Sequence, residues 1–329
     1  MKKLLTFLGR LLACVLALLL CLALAFVIIP MTEKGYSMSV PGSEDWMAAL
    51  PDDRLLSQIV IPGTHDSGTR FVQLAFFSKC QSLSISEQLA AGFRYLDIRL
   101  GVDEHNDIFQ LMHGFTRCKT GALSGDSLYL DSVLDDCYRF LEEHPTETIL
   151  FVVKQEHGDE SVSEFETMLD AYIRENESYW LLTDTIPNLG EARGKLVLLR
   201  RYEDAAGLGE RAGIPFLWKD QNGSEDPNLH AVREDNGYSL WVQDRFCYGA
   251  TDKWNAFAAG MDAARSREAG DISLSFLSTK GTLAYGHPYH FAKLLNRQLL
   301  EANLALDGWI VVDFASAVLA ERIYSVNLV

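Results

Sequence analysis

Basic charge is the scarcest resource in this chain: 29 Lys and Arg stand against 45 Asp and Glu, for a formal net charge of −16 over 329 residues. That balance excludes nucleic acid as a partner, because binding it demands a basic footprint. It also removes any long-range attraction to anionic lipid, so membrane contact by a folded domain has to be local and apolar. The six cysteines include no Cys-x-x-Cys pair, which excludes the common zinc modules. Cys80, Cys118, Cys137 and Cys247 permit disulfides outside the apolar N-terminus, but a domain of this size does not need them and no pairing can be read. Neither G-x-G-x-x-G nor G-x-x-x-x-G-K-[ST] occurs, so no nucleotide loop is expected. H-E-x-x-H is absent too, and His105, His287 and His290 make a weak metal set. No internal repeat or low-complexity tract appears.

The N-terminus is where hydrophobicity concentrates. Residues 11–29 carry no charge and follow Lys2, Lys3 and Arg10. As a helix this stretch spans ~28 Å, close to the hydrocarbon thickness of a bilayer. The basic flank belongs in the cytoplasm, which places everything after Pro30 outside. Phe26-Val27-Ile28-Ile29 offers no small residues for a cleavage site, so residues 1–30 are read first as an uncleaved signal anchor and second as a signal peptide. The expected location is an anchored extracytoplasmic domain, or a secreted one if that segment is cut. Those thirty residues hold three basic side chains and no acidic one, leaving −19 on the remainder. Residues 31–50 mix Gly, Ser, Pro and charge without a period and read as a stalk or linker; 51–329 is one large domain.

Within that domain short β-branched or aromatic runs alternate with amphipathic segments. Strands are expected at 58–61, 95–100, 108–113, 148–154, 196–200, 239–243, 272–277 and 309–313. Helices are expected at 132–143, 161–174, 253–267 and 289–305, with Pro145 barring extension of the first through His144. Eight strands separated by helices or long loops predict an α/β fold, a (β/α)8 TIM barrel, with a doubly wound open sheet as the alternative.

A barrel gathers its functional side chains where strands end, and the polar residues of this chain fall there. Ile61-Pro62-Gly63-Thr64-His65-Asp66-Ser67-Gly68-Thr69 puts a His-Asp pair on a Gly- and Ser-rich turn after the first strand. A histidine beside a carboxylate is equipped to move protons near neutrality. Asp97 and Arg99 occupy the second strand, His113 closes the third, Lys154 and Glu156 the fourth, and Arg201 the fifth. Asp244 follows the sixth and Asp313 ends the eighth, after the apolar run Trp309-Ile310-Val311-Val312. A lone carboxylate there is costly and calls for a partner.

These residues resemble bacterial phosphatidylinositol-specific phospholipase C. The resemblance rests on Ile61–Thr69, Phe93-Arg94-Tyr95-Leu96-Asp97-Ile98-Arg99, His113-Gly114 and Pro145-Thr146-Glu147-Thr148-Ile149. It continues through Ala192-Arg193-Gly194-Lys195-Leu196-Val197-Leu198-Leu199 and Gly308-Trp309-Ile310-Val311-Val312-Asp313, in order from about Asp52 to Ser325. It implies a distorted TIM barrel over 51–329 and an enzyme that turns phosphatidylinositol into diacylglycerol and inositol 1,2-cyclic phosphate. By the same resemblance His65 is the general base, Asp313 orients it, and His113 is the general acid. Asp66 assists His113 or holds Arg99, two roles the sequence does not separate.

Arg99 stands where eukaryotic relatives hold calcium, so no metal and no cofactor is expected. Lys154, Arg201 and Asp244 match residues that bind the inositol hydroxyls, with Glu156 a supporting neighbour. Phe246 departs from the family, which has a tyrosine there; it keeps a stacking face and loses a hydroxyl. The implied partner is phosphatidylinositol, or a glycosylated phosphatidylinositol, in a membrane, with no obligate protein partner. Two other readings stay open: a metal-dependent glycerophosphodiester phosphodiesterase, and a catalytically silent inositol-lipid-binding module. Leu74, Ala75, Phe76 and Phe77 cover the core in the preferred reading and dip into lipid in the other.

Overall fold

The computed structural model describes residues 2–103, 105–221, 230–233, 238–268, 270–282 and 286–328. Its strands, in chain order, are β1 (Ile61–Thr64), β2 (Tyr95–Asp103), β3 (Ile108–His113), β4 (Thr116–Arg117), β5 (Ile149–His157) and β6 (Trp180–Leu181). They continue with β7 (Leu196–Arg200), β8 (Ile214–Pro215), β9 (His230–Arg233), β10 (Ser239–Gln243), β11 (Ile272–Phe276) and β12 (Trp309–Val312). The spatial order is β6-β7-β5-β2-β1-β12-β11-β10, every neighbouring pair parallel, with β9 antiparallel beyond β10. This curled parallel sheet is a distorted TIM barrel. β6 and β8 succeed one another along the same edge of β7. Between the β8 side and β10, the strand pairing among the described residues is the isolated bridge of Gln221 with Arg245, backed by side-chain hydrogen bonds such as that of Gln221 to the Val242 carbonyl.

Two expectations need correction. The third expected strand, β3, runs antiparallel to β2 and stands in a hairpin with β4 instead of taking a place in the barrel wall. Its place among the parallel strands goes to the two-residue β6 and β8, too short for any periodicity to reveal. The first strand was expected at 58–61, but Leu56–Gln58 is a 3-10 turn and the strand runs Ile61–Thr64. The shift matters, because it carries the strand up to the residue before His65.

Alternation along the strands decides which side chains enter the barrel. Tyr95, Leu150, Val152, Val197 and Leu199 join the inner cluster with Phe216 and Trp309. Leu96, Ile98, Leu100, Phe151, Val153 and Leu198 point the other way, against Leu130–Glu143 and Val162–Glu175. Continuing the inner parity outward gives Asp97 and Arg99 on β2, Lys154 and Glu156 on β5, and Arg201 after β7. Apolar floor and polar mouth are thus consecutive rungs of the same ladders. Gly63 keeps β1 and β2 in contact: a Cβ there would lie 2.8 Å from the Tyr95 ring.

The N-terminal helix runs from Lys2 to Thr32 with a π-helical stretch at Leu24–Ile28; it is long and apolar enough to cross a membrane by length and composition, and its apolar window is unburied. Part of the stretch read as a stalk is built into the barrel. Ser43–Ala49 forms a 3-10 turn with Trp46 and Met47 buried. The Trp46 indole donates to the Gly92 carbonyl and the Met47 amide to Glu147 Oε1. Glu147 in turn accepts from buried Arg94 at 2.9 Å, so a buried ion pair fixes this segment.

The short helix Ala75–Ser78 differs from the core-covering expectation. Ala75 is buried, Leu74 is exposed, and Phe76 and Phe77 are half-buried. Both rings pack on Phe26 of the N-terminal helix, with centroids 4.8 and 6.0 Å away, and Phe76 also stacks on His287.

Candidate active site

His65 and Asp66 leave the top of β1 between β12 and β2. The His65 amide donates to the Val312 carbonyl at 3.0 Å, which holds the turn to β12. Asp66 has φ of 45°, a left-handed conformation that costs a non-glycine residue. It is held by Asp97 Oδ2, which accepts the Asp66 amide at 3.1 Å, and by Thr69, whose hydroxyl donates to the Asp66 carbonyl. The strained turn aims the Asp66 carboxylate into the middle of the site.

There it meets three partners. Arg99 Nε lies 3.1 Å from Asp66 Oδ1, and His65 Nε2 and His113 Nδ1 lie 3.2 and 3.6 Å from Oδ2. The sequence left Asp66 between holding Arg99 and assisting His113; its carboxylate contacts Arg99 and lies close to both imidazoles. The far side of His65 is fixed by Asp313, whose Oδ1 is 2.8 Å from Nδ1. Burial disfavours the charged imidazole, but the carboxylates of Asp66 and Asp313 outweigh burial and Arg99, and raise the His65 pKa above 6.5. Asp313, buried as the sequence required, has the partner it called for.

Arg99 is gripped on several sides. Nε and Nη2 contact Asp97 Oδ2 at 3.1 and 3.0 Å, and Nη1 is 3.4 Å from Glu156 Oε1. Burial works against its charge, yet these acids, with Asp66, raise its pKa well above the ordinary guanidinium range, so it is a permanent cation. Burial would raise the Asp97 carboxyl, but Arg99 and Arg201 hold it far below the usual carboxylate range. Glu156 is held down likewise by Arg99 and by Lys154, whose Nζ is 2.6 Å from Oε2. Glu156 also accepts from the Gly114 amide at 2.9 Å, tying the β3–β4 hairpin to β5. His113 sits on that hairpin with Nδ1 2.8 Å from the Ser78 carbonyl and its ring 6.3 Å from that of His65.

A cavity of about 550 Å³ opens above this cluster, within the usual range for a small-molecule site. His65, Arg99, His113, Lys154, Arg201, Asp244, Phe246 and Asp313 line it, with Leu74, Phe77 and Phe115 at the mouth. Asp66 and Glu156 lie beneath as buried supports. All ten residues expected from the sequence therefore belong to one cavity or its floor.

Some contributors were not foreseen. Trp218 stacks under Arg201, whose guanidinium carbon is 3.7 Å from the ring centroid, while its indole donates to Asp244 Oδ2 at 3.1 Å. Lys253 is buried and donates to Gln243 Oε1 at 2.9 Å; burial lowers its pKa to about 7. Cys80 Sγ is 3.8 Å from His113 Nδ1, and burial first, then Asp313 and Asp66, push its thiol far up, so it is not a thiolate.

Donors for a cation do converge here, as His65, Asp66 and Asp97, or as either histidine with Cys80 and a carboxylate. Their chemistry fits poorly. Asp66 and Asp97 already neutralise Arg99, and an ion bound to them would sit against a guanidinium. His105, His287 and His290 form no cluster among the described residues, and His287 is engaged by Glu33 and the Phe76 carbonyl.

A barrel mouth that gathers two imidazoles, a fixed guanidinium and several further polar side chains in one cavity is suited to phosphodiester chemistry. Comparison with known proteins gives the family. The model for "Phosphatidylinositol-specific phospholipase C, X domain" matches residues 56–202. The chain is 33% identical over 240 residues to the 1-phosphatidylinositol phosphodiesterase of Listeria monocytogenes, covering 66% of this chain and 71% of that one. With the enzyme of the same name from Staphylococcus aureus strain Newman it shares 28% over 297 residues, 83% and 88% of the two chains. A solved structure of the S. aureus phosphatidylinositol-specific phospholipase C superposes with a TM-score of 0.70 at 26% identity, over 86% of this chain and 97% of that one. The Listeria enzyme superposes with a TM-score of 0.60 at 20% identity and shows the same fold. The chain belongs to the phosphatidylinositol-specific phospholipase C X-domain family.

Proposed function

We propose that this protein is a metal-independent phosphatidylinositol diacylglycerol-lyase. The observation that carries the reading is the convergence of His65, His113 and Arg99 on one buried carboxylate, Asp66, at the floor of the cavity. His65 takes the proton of the inositol 2-hydroxyl as that oxygen attacks phosphorus. The bond from phosphorus to the glycerol oxygen breaks, and His113 supplies the proton that the departing diacylglycerol needs. The product is inositol 1,2-cyclic phosphate, which water opens with the two histidines exchanging roles. Because the nucleophile is part of the substrate, holding it beside phosphorus supplies much of the acceleration.

Arg99 offers planar donors to the phosphoryl oxygens as charge builds on them. Lys154, Arg201 and Asp244 take the inositol hydroxyls, Trp218 sets the plane of Arg201, and Phe246 faces the apolar side of the sugar. The substrate is phosphatidylinositol or a glycosylated form of it, in a membrane.

The test is phosphorus NMR of the full chain in mixed detergent and phosphatidylinositol micelles with excess EDTA. A cyclic phosphate signal that appears at the same rate with chelator as without is the expected result. Activity lost to EDTA and restored by calcium or magnesium would instead establish a metal-dependent phosphodiesterase. Inositol binding with no cyclic phosphate under any condition would leave a binding module.

A further inference from the structure

The end of the N-terminal helix is fastened to the mouth of the active site by buried polar contacts that the catalytic reading does not use. The central one is Lys79, which is 3% exposed. Its ammonium donates to three carbonyls where the helix ends: Pro30 at 3.1 Å, Met31 at 2.9 Å and Glu33 at 2.9 Å. A helix C-terminus leaves such carbonyls without partners and carries partial negative charge, so a buried lysine is a matched cap. Burial lowers the Lys79 pKa to about 8, against the pull of Glu33. A side chain desolvated to that degree is held in place by what it binds.

A second contact closes the clamp. His287 places Nε2 3.0 Å from Glu33 Oε1 and Nδ1 2.8 Å from the Phe76 carbonyl. Its ring stacks on Phe76 at 4.2 Å with 4° between planes, and Phe76 meets Phe26 edge-on at 4.8 Å. Further on, the Gly35 amide donates to Ser82 Oγ at 3.1 Å, and a Cβ at Gly35 would lie 2.5 Å from the Phe314 carbonyl oxygen, next to Asp313. Helix end, rim helix and catalytic strand end are therefore one packed unit. Phe77 of that rim helix also lines the cavity.

The helix on the N-terminal side of Phe26 has no buried residue, and its exposed large apolar side chains, Leu and Val, run around the whole circumference over residues 11–25. An aqueous home for that surface is excluded by its area and composition. Lipid is the one occupant that matches an apolar cylinder long enough to span a bilayer. The point where such a helix leaves lipid is the point where Lys79 and Phe76 hold it.

We infer that the N-terminal helix is retained as a membrane anchor and that the Lys79–Glu33–His287 clamp fixes the active-site mouth against the bilayer that holds it, confining the enzyme to lipid of its own membrane. A flexible tether lets a domain swing toward other surfaces, whereas a rigid one raises the effective concentration of the substrate within reach and no other. The confinement to phosphatidylinositol rests on the function proposed above; the clamp itself does not.

The experiment uses the full chain reconstituted in phosphatidylcholine vesicles containing phosphatidylinositol, mixed with protein-free vesicles whose phosphatidylinositol carries a different isotope. The wild type is expected to release cyclic phosphate from its own vesicles at least about tenfold faster than from the others. Lys79→Met removes the three donors at little change in volume, and inserting ten Gly/Ser residues after Lys34 frees the tether without touching Lys79. Either change is expected to raise the share from the protein-free vesicles several-fold, with turnover of a monomeric short-chain phosphatidylinositol within about twofold of wild type. Equal use of both vesicle populations by the wild type overturns the inference, as does an unchanged ratio in the insertion variant. Intact mass of the membrane-extracted protein is expected to include residues 1–30; a mature chain beginning near Phe26 overturns retention.

One readout is independent of activity. Cysteines placed by Phe26→Cys and Phe76→Cys are expected to be joined by a short bifunctional thiol reagent in the reconstituted protein, and no joining overturns the clamp. If the wild type turns over no soluble substrate while this crosslink forms, the functional reading has failed and the clamp has not.

Discussion

The seam where β12, β1 and β2 meet and the β3–β4 hairpin above it each deliver one imidazole to the cavity, and they hold it differently. On the seam, His65 lies between two buried carboxylates at 2.8 and 3.2 Å. On the hairpin, His113 gives Nδ1 to a main-chain carbonyl at 2.8 Å and has a single carboxylate at 3.6 Å. The hairpin is also the more open region, with Phe115 largely exposed beside it. A group that must accept a proton gains from close anions that stabilise its charged form. A group that must surrender one is better served by a neutral acceptor that fixes only its orientation. Under the function proposed above, the contrast suits the seam to the base and the hairpin to the acid.

The largest expected effect is on the seam. His65→Ala should lower kcat for phosphatidylinositol by about 10⁴-fold, at the upper end for a general base, with the cyclic product followed by phosphorus NMR. A loss of only a few-fold would mean that another group takes the proton. Arg99→Lys keeps the charge but not the fork that Asp66, Asp97 and Glu156 hold, and should cost about 10³-fold with an unchanged circular dichroism spectrum. Near-wild-type turnover in that variant would remove the guanidinium from the mechanism.

On the hairpin, His113→Ala should cost about 10²-fold on phosphatidylinositol, yet under about tenfold on a nitrophenyl inositol phosphate. A phenolate leaves without being protonated, so equal losses on both substrates would refute the acid role. The smallest effect is a displacement of the pH profile. A base works when unprotonated, so kcat/KM should fall as pH drops through the His65 pKa, which lies above 6.5. Asp313→Asn removes one of the anions that raise that pKa, and the acidic limb should move to lower pH. An unmoved limb would show that another group controls it.

Much of this was legible in the sequence because strand parity carries it. Once 95–100 and 148–154 are read as strands, Arg99 and Lys154 must follow the inward rungs, and the observed strands extend those runs without changing parity. Five strands, β3, β7, β10, β11 and β12, end within one residue of expectation. β1 was displaced because Pro62 and Gly63 are poor strand formers, and proline normally avoids central strands. Pro62 is tolerated because β2 pairs with β1 only at Gly63 and Thr64.

What escaped depends on contacts between distant segments. Trp218 follows a two-residue strand, and nothing in its neighbourhood shows that Arg201 lies across its ring. The packed end of the N-terminal helix escaped for a related reason. Lys79 and Glu33 look like surface charges until folding buries the one against the other's backbone. Irregular composition over 31–50 suggested a free tether, while the burial of Trp46 and Met47 was visible only in three dimensions.

The fusion of an unburied apolar helix to so acidic a body has a bearing on ionic strength. Phosphatidylinositol is itself an anion, and a freely dissolved protein of net charge −16 approaching a surface rich in it would be repelled over roughly one Debye length, ~10 Å in 0.1 M salt. Such an enzyme would depend on dissolved counterions to dwell on its substrate. With the helix retained in hydrocarbon, as inferred above, residence on the surface becomes a matter of oil solubility instead, so dilute and concentrated media should support similar rates, and the acidity of the barrel is free to serve colloidal stability.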